Sequence, residues 1–415
     1  MSGLEHFIPL TRADADRLAV EQAPAALQQD VRELAVVLNS LLHVEFHERL
    51  ERLKELYAPL DPDSDTRRPP GAPPPPADGA HQLGAALAEI LQRANYVELS
   101  REELDAALEQ DSPFMLRVHV ELADFAELVV YSRGRRTESV QVKRLLRRGR
   151  EHELEVFERV VVLARVKPAQ ELPEDRREGL PVGPGRTLVK LFRNVPVADL
   201  EMVLPNVEVR MRRRDRVLLG VPAAVGGVVL LVTKLSASLL LTGALIAWWL
   251  GLRAEKVEIG APQILGLVIA LAALGGFVLR QVGAFKNRRI KFMKALADSL
   301  YFRSLDHGAG VFHRVIDEAE EQDGKEALLA YVGLLQRPGL MEAELDALVE
   351  TWLLAWCGTR IDFECDDALA KLERFGLLRK DGERLSVVPP TEAKVILDQR
   401  WDNWFTYANE AAAKA

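Results

Sequence analysis

Apolar positions along the chain follow three rhythms, and each predicts a different kind of element. Over residues 6–57 they recur near helical spacing, with Leu34, Val37, Leu38, Leu41, Leu42, Val44 and Leu50 on one side. Residues 58–80, "APLDPDSDTRRPPGAPPPPADGA" with its Ala80 end, break that period and read as a proline-rich linker. Helical spacing resumes over His81–Arg93 and Ser100–Gln110, where Ser100 and Glu103 have capping-box spacing. The rhythm then shifts to alternation. "FMLRVHVEL", "FAELVVYSRG", "FERVVVLARVK" and "TLVKLFRNV" predict a mostly antiparallel sheet, so residues 81–209 read as an α+β domain.

The third rhythm is unbroken apolarity. Val217–Leu250 holds one charge, Lys234, and Ala261–Leu279 holds none. A bilayer core takes about 20 helical residues, so residues 210–285 read as a two-helix transmembrane hairpin with spans near 226–250 and 261–280. Its outer flanks carry Arg210, Arg212, Arg213, Arg214 and Arg216 on one side and Arg280, Lys286, Arg288, Arg289, Lys291 and Lys294 on the other. The connecting loop has only Arg253 and Lys256. That bias predicts a bacterial cytoplasmic membrane with both large regions on the cytoplasmic side. Arg210, Arg212, Arg213, Arg214, Arg216, Arg288, Arg289 and Lys291 are the expected contacts to lipid headgroups. Lys234 is the expected pore-facing or partner-facing residue. Gly243/Ala247 and Ala272/Gly276, each pair four residues apart, would let helices approach closely, within one chain or between copies.

Beyond the apolar region, residues 286–338 read as helical. Residues 339–405 read as helix, short helix and hairpin, with Asp381-Gly382 as the turn, which is the pattern of a winged helix. From Met341 to Leu378 nine acids (Glu342, Glu344, Asp346, Glu350, Asp362, Glu364, Asp366, Asp367, Glu373) face three bases (Arg360, Lys371, Arg374). Such a surface repels phosphate, so a protein partner is expected here and not DNA. The tail 409–415, "NEAAAKA" in its last residues, resembles a helical spacer. The whole is expected to be an α+β membrane protein: an N-terminal helical and antiparallel-sheet part, a membrane hairpin, and C-terminal helices with a winged-helix-like module.

Charge and cysteine content narrow the partners. A net charge of −8 over 415 residues argues against nucleic acid as a partner. The mean hydropathy of −0.03 averages very apolar and very polar stretches. Two cysteines, Cys357 and Cys365, form neither a metal signature nor a disulfide framework and read as reduced thiols. The N-terminal stretch "MSGLEHFIPLTRADADRL" has neither a secretory nor a transit pattern. One basic patch stands out, formed by Arg133, Arg135, Arg136, Lys143, Arg144, Arg147, Arg148 and Arg150. It reads as a solvated hairpin face, with contact to an anionic leaflet as the functional alternative.

Candidate chemistry is sparse. His43 and His47 share a helix face that Glu51 continues, so the three form a candidate metal set. The set resembles HExxH but departs from it, because Val44 and not a glutamate follows the first histidine. Asp317, Glu321 and His313 form a second acidic group, better read as a solvated helix face. No P-loop, dinucleotide fingerprint or nucleophile elbow is present. No cofactor is expected.

At "FIPLTRAD", "FHERLERLKELYAPLDPDSDT", "ANYVELSREEL", "LVKLFRNVPVADLEMVLPNVEVRMRRRDR" and "LYFRSLDHGAGVFHRVIDEAEEQDGKEALLAYVGLL" the chain resembles the transmembrane-protein-143-like family. The resemblance runs from about His6 to Trp404 and implies two spans and a shared domain of unknown function, without catalytic residues to carry over. The expected role is a non-enzymatic scaffold in the inner membrane that binds lipid or protein. The alternatives are an oligomeric channel or transporter subunit, and a metal-dependent hydrolase using His43 and His47. Expected partners are membrane lipid, further copies of the chain, and a protein bound through the winged helix.

Overall fold

The computed structural model describes residues 5–65, 69–71, 76, 78–109, 117–120, 122–144, 147–177, 180, 182–205, 207–210, 247–252 and 261–405. The chain divides into two compact units. One comprises Met1–Pro113, Val120–Val207 and Arg303–Ala415, and the other Phe114–His119 and Glu208–Phe302.

The first unit is built around one helix. Helices α1 (Arg12–Gln22), α2 (Gln28–Tyr57), α3 (Gly79–Arg93) and α4 (Arg101–Glu109) precede the sheet. Thr11 caps α1 by accepting from the Asp14 amide at 3.2 Å, and Pro24 separates α1 from α2 where helical spacing alone suggested one element. The Ser100–Glu103 capping box closes in both directions, at 3.0 and 3.2 Å. A four-residue helix, α5 (Glu174–Arg177), lies between strands. Helix α7 (Ala309–Gln336) packs against α1, α2 and α3, and nearly all of it is buried from Ala319 to Leu334. Its apolar residues join one core with Leu18, Leu34, Leu38, Phe46, Leu83 and Leu87. Burying each such side chain contributes about 1.5–3 kcal/mol.

The sheet runs β1-β3-β4-β5-β7, with every pair antiparallel. Its strands are β1 (Val97–Glu98), β3 (Phe125–Arg144), β4 (Arg147–Val166), β5 (Thr187–Pro196) and β7 (Ser304–His307). Tyr131, Val161, Leu163, Val189 and Leu191 turn one face toward the helical core. Strand β7 sits inside a stretch that the sequence reads as helix. It is short and gains its ladder only from β5, with Lys190 opposite His307. Strands β2 (Arg117–Val120) and β6 (Val207–Arg210) form a separate pair.

The C-terminal part comprises α8 (Glu342–Cys357), α9 (Cys365–Arg374), the hairpin β8 (Leu378–Asp381)–β9 (Arg384–Val387) and α10 (Pro390–Asp402). Gly382 holds φ +60° in the hairpin turn, which favours glycine there. Leu340 bridges to Leu385, Tyr331 of α7 donates to the Val388 carbonyl at 2.8 Å, and α8 and α9 pack on α7.

Helix α6 (Ala261–Arg303) belongs almost wholly to the second unit and corrects the membrane reading. Among the described residues no helix is long and apolar enough to cross a membrane. The expected span near 261–280 is the first part of one 43-residue helix, about 65 Å long, that continues without a break through Lys286 and Lys294 to Arg303. The apolar run is therefore a segment of a longer, increasingly charged element and not a separate rod of bilayer length. The expected span near 226–250 lies outside the described residues except for 247–250. The supported fold is mixed α/β with an antiparallel sheet. It does not support the expected transmembrane hairpin, membrane-protein class or inner-membrane placement.

Candidate functional site

The densest chemistry in the described residues lies where α7 meets α2, α3 and α9. The sequence "EEQDGKE" from Glu320 to Glu326 puts charges on a helix that is covered on every side, so each charge needs a partner. Asp323 and Glu326 are fully buried. The ammonium of Lys371, on α9, stands 2.9 Å from Asp323 Oδ1, 2.5 Å from Glu326 Oε2 and 2.7 Å from Asp367 Oδ2. Arg93 of α3 donates to Asp323 Oδ2 from Nε at 2.9 Å and also from Nη2. Its Nη1 reaches Glu45 Oε1 at 3.1 Å, and its guanidinium lies 4.3 Å over the Phe46 ring. Arg374 donates to Glu45 Oε2 at 2.6 Å. The other oxygen of Glu326, Oε1, accepts from Gln322 at 2.7 Å and from Asn95 at 3.4 Å.

Four carboxylates (Glu45, Asp323, Glu326, Asp367) thus meet three cations (Arg93, Lys371, Arg374). Burial pushes Glu326 up to about 7, against the pull of Lys371. Burial would lower Lys371, but Glu326, Asp323 and Asp367 hold it above the ordinary lysine range. The ammonium therefore stays charged.

Asp323, Glu326 and Asp367 are also the group of metal-ligating type that comes together among the described residues, with oxygens within 4.8 Å of one another. The place a metal would take is held by Lys371, so the present donor set fits an internal cation. The arrangement acts as a lock between helices.

A second polar layer borders the first. Arg133 lies between the rings of Phe7 (4.0 Å) and Tyr96 (4.6 Å), pairs with Glu318 at 3.1 Å and donates to the Ala94 carbonyl. Tyr96 donates to Glu318 at 2.8 Å, and burial drives its hydroxyl far above the usual tyrosine range. Glu320 takes Arg12 at 2.8 Å and His43 Nδ1 at 3.0 Å. Burial lowers Lys325, which pairs with Glu321 at 3.2 Å.

The residues singled out in the sequence fall elsewhere. His43 points outward apart from its contact with Glu320, and His47 is exposed. Glu51 is exposed and bonds to Lys54 at 2.7 Å, which holds its carboxyl below the usual range. Arg210 ends β6, and Arg288, Arg289 and Lys291 lie on α6; their side chains are outside the described residues. Arg212, Arg213, Arg214, Arg216 and Lys234 lie outside the described residues altogether. The acidic group around Asp317 and Glu321 is only partly a solvated face, because Glu320 beside it is buried.

Sequence reasoning missed Glu45, Arg93, Asp323, Glu326 and Lys371. The available signal was the abrupt passage from "EEQDGKE" into "ALLAYVGLL" without a polar face, which marks a helix covered all round. A shallow cleft of about 610 Å³, lined by Glu48, Ile396, Gln399, Arg400, Asn403 and Trp404, lies where α10 meets α2. It pairs no two carboxylates and holds no histidine.

Residues 157–310, a little over a third of the chain, match the family described as "Protein of unknown function (DUF3754)". The chain therefore carries that domain of unknown function, from within β4 to the start of α7. No solved structure matches the chain.

Proposed function

We propose that the chain is a non-enzymatic scaffold that assembles through α6 with the α6 of a second copy. One observation carries this reading. Leu265, Ile269, Ala272, Gly276, Leu279 and Gly283 recur at spacings of 4, 3, 4, 3 and 4, and Leu265, Ile269 and Leu279 are 61%, 60% and 74% exposed. That is the repeat of a helix-pairing seam. Exposed apolar surface of this extent marks an interaction site. A Cβ added at Gly275, Gly276 or Gly283 would meet nothing within 4 Å among the described residues. Each glycine costs about 1 kcal/mol relative to alanine inside a helix, and no packing among the described residues calls for it. Close approach of a second backbone does.

The non-enzymatic part of the reading is supported by the ion cluster, whose carboxylates are committed to arginine and lysine. The reading also takes the chain as a bacterial member of the transmembrane-protein-143-like family. The support is that the block "LVKLFRNVPVADLEMVLPNVEVRMRRRDR" lies within the matched domain.

Sedimentation velocity on the full chain tests the assembly. The wild type should associate, and Gly276→Leu should keep its circular dichroism and Tm while weakening association about tenfold or more, since a leucine would hold the helices apart. A strictly monomeric wild type, or unchanged association in Gly276→Leu, overturns it.

A further inference from the structure

Residues 5–8 run as a strap across four parts of the first unit. Glu5 bridges to Ile361 in parallel register, and its carbonyl accepts from the Asp362 amide at 2.9 Å. The His6 carbonyl accepts from Asn95 Nδ2 at 2.9 Å, in the turn after α3 where Asn95 holds φ +58°. The Phe7 ring lies 4.0 Å from the Arg133 guanidinium of β3 and 5.3 Å from the Lys325 ammonium of α7. Ile8 is fully buried, and its amide donates to Gln322 Oε1 at 3.3 Å. Ile8 is thus the anchor, and Glu5 and His6 form the end that reaches the loop between α8 and α9.

At that loop the strap meets acid. His6 Nδ1 lies 2.8 Å from Glu364 Oε1 and 3.7 Å from Asp362 Oδ2. The nitrogen is shielded from water and stands off the line of a hydrogen bond, so the contact draws on charge, which the ring has only when protonated. The groups facing His6 are Asp362 and Glu364 from the loop and Glu5 from the strap. Behind them stand Asp366 and Asp367 of α9 and Glu342, Asp346 and Glu350 of α8. Among the described residues Asp367 has Lys371, but no lysine or arginine pairs with Asp346, Asp362 or Glu364. On the sheet side, Arg133 attracts Glu5 and Glu158 repels it.

The carboxyls around the contact bias it in the same direction as the imidazole. Burial raises Glu5 against the pull of the Phe7 amide and Arg133, and burial raises Glu364 against the pull of His6. Burial, Glu350, Asp362, Glu342 and Asp366 together push Asp346 up to about 6. Groups raised in the folded chain hold their protons more tightly there, so their contribution is present below the unfolded values and lost as pH rises through the folded ones. Rising pH therefore adds negative charge at this corner as His6, its cation among the described residues, loses its own.

We infer that residues 5–7 are a pH-operated latch: protonated His6 clasps the strap to the α8–α9 loop, and its deprotonation frees the strap end while Ile8 stays seated. Opening breaks the Glu5–Asp362 and His6–Asn95 hydrogen bonds and lifts Phe7 from Arg133 and Lys325, so the tie between the C-terminal part, the sheet and the α3 turn is undone at one point. The helices of the core are not part of this motion, and none of the residues involved belongs to α6.

Hydrogen exchange on the full chain, resolved at single amides and expressed as protection against the intrinsic rate at each pH, tests the latch. The Asp362 amide reports it directly, because its acceptor is the Glu5 carbonyl. The Ile8 amide reports the anchor, and Leu328–Leu334 of α7 report global opening. Between pH 5.5 and pH 8.0 the wild type should lose about fivefold or more of its protection at Asp362, with Ile8 and α7 changing less. His6→Gln, which carries no charge at either pH, should show at pH 5.5 the low protection that the wild type shows at pH 8.0. His6→Lys, charged at both, should keep the Asp362 amide protected at pH 8.0, which a purely structural role for the imidazole would not produce. Protection at Asp362 that does not change with pH in the wild type, or that changes only in step with α7, overturns the proposal. So does a His6→Lys protein that opens at pH 8.0 as the wild type does.

Discussion

Glu45 on α2 accepts a 2.6 Å hydrogen bond from Arg374, 329 residues farther along the chain. Its other oxygen takes Arg93 of α3 at 3.1 Å. One carboxylate thus joins three helices. Burial works to raise Glu45, but Arg374 and Arg93 prevail and hold it below the usual glutamate range. The joint therefore stabilises the fold above the unfolded carboxyl's pKa and weakens as pH falls through the folded one.

Lys371 is the member whose loss is felt most. Lys371→Ala leaves Asp323, Glu326 and Asp367 facing one another without their cation, and should cost about 3–5 kcal/mol. The vacated oxygens lie within 4.8 Å of one another. Millimolar Mn²⁺ or Ca²⁺ should therefore raise the urea midpoint of Lys371→Ala and leave that of the wild type unmoved. Equal responses of the two proteins to metal would contradict the lock described here.

Asp346 makes stability depend on pH in the opposite sense to Glu45. Its carboxyl stands at about 6 in the folded chain against 3.8 unfolded. The folded state holds this proton more tightly, so its contribution is complete below pH 3.8 and gone once pH has passed 6. Asp346→Asn should match the wild type at pH 4 and exceed it at pH 7 by about 0.5–1 kcal/mol, most of the shift being screened at this partly exposed position. Paired urea titrations at the two pH values check the crossover.

Two glycines on helices should respond oppositely. A Cβ at Gly333 of α7 would come within 2.5 Å of Leu345 on α8, so Gly333→Val should cost about 1–3 kcal/mol by overpacking. Gly276→Ala on α6 meets open space and should be neutral or stabilising by up to ~1 kcal/mol. Thermal unfolding of both variants gives the comparison.

Much of the sheet was legible in the sequence, because Val160–Val162 and Leu188–Phe192 sit on strands whose alternation and β-branching announce them. The Asp381-Gly382 turn was legible for the same local reason. Strand β7 was not, since four residues flanked by helices carry no period of their own. The length of β3 and β4 was hidden as well, because arginines interrupt the alternation where both strand faces are polar. The ion cluster was the hardest part. Asp323 and Glu326 taken alone look like solvated helix residues; the apolar run after them hints at a covered helix, but their partners Arg93 and Lys371 come from 230 residues before and 45 after. The apolar stretch Ala261–Leu279 was visible, but not its continuation as one helix to Arg303.

The near-terminal contacts have a consequence for synthesis. The Ile8 amide bonds to Gln322, 314 residues later, and Glu5 bridges to Ile361. At translation rates of about 5–20 residues per second, α1 and α2 leave the ribosome roughly 15–60 s before α7 does. Throughout that interval α1, α2 and α3 can meet one another but lack the α7 surface on which all three pack. Stalls or premature stops upstream of α7 therefore leave α1–α3 with the apolar faces that α7 covers exposed, an aggregation-prone fragment in place of a smaller folded protein.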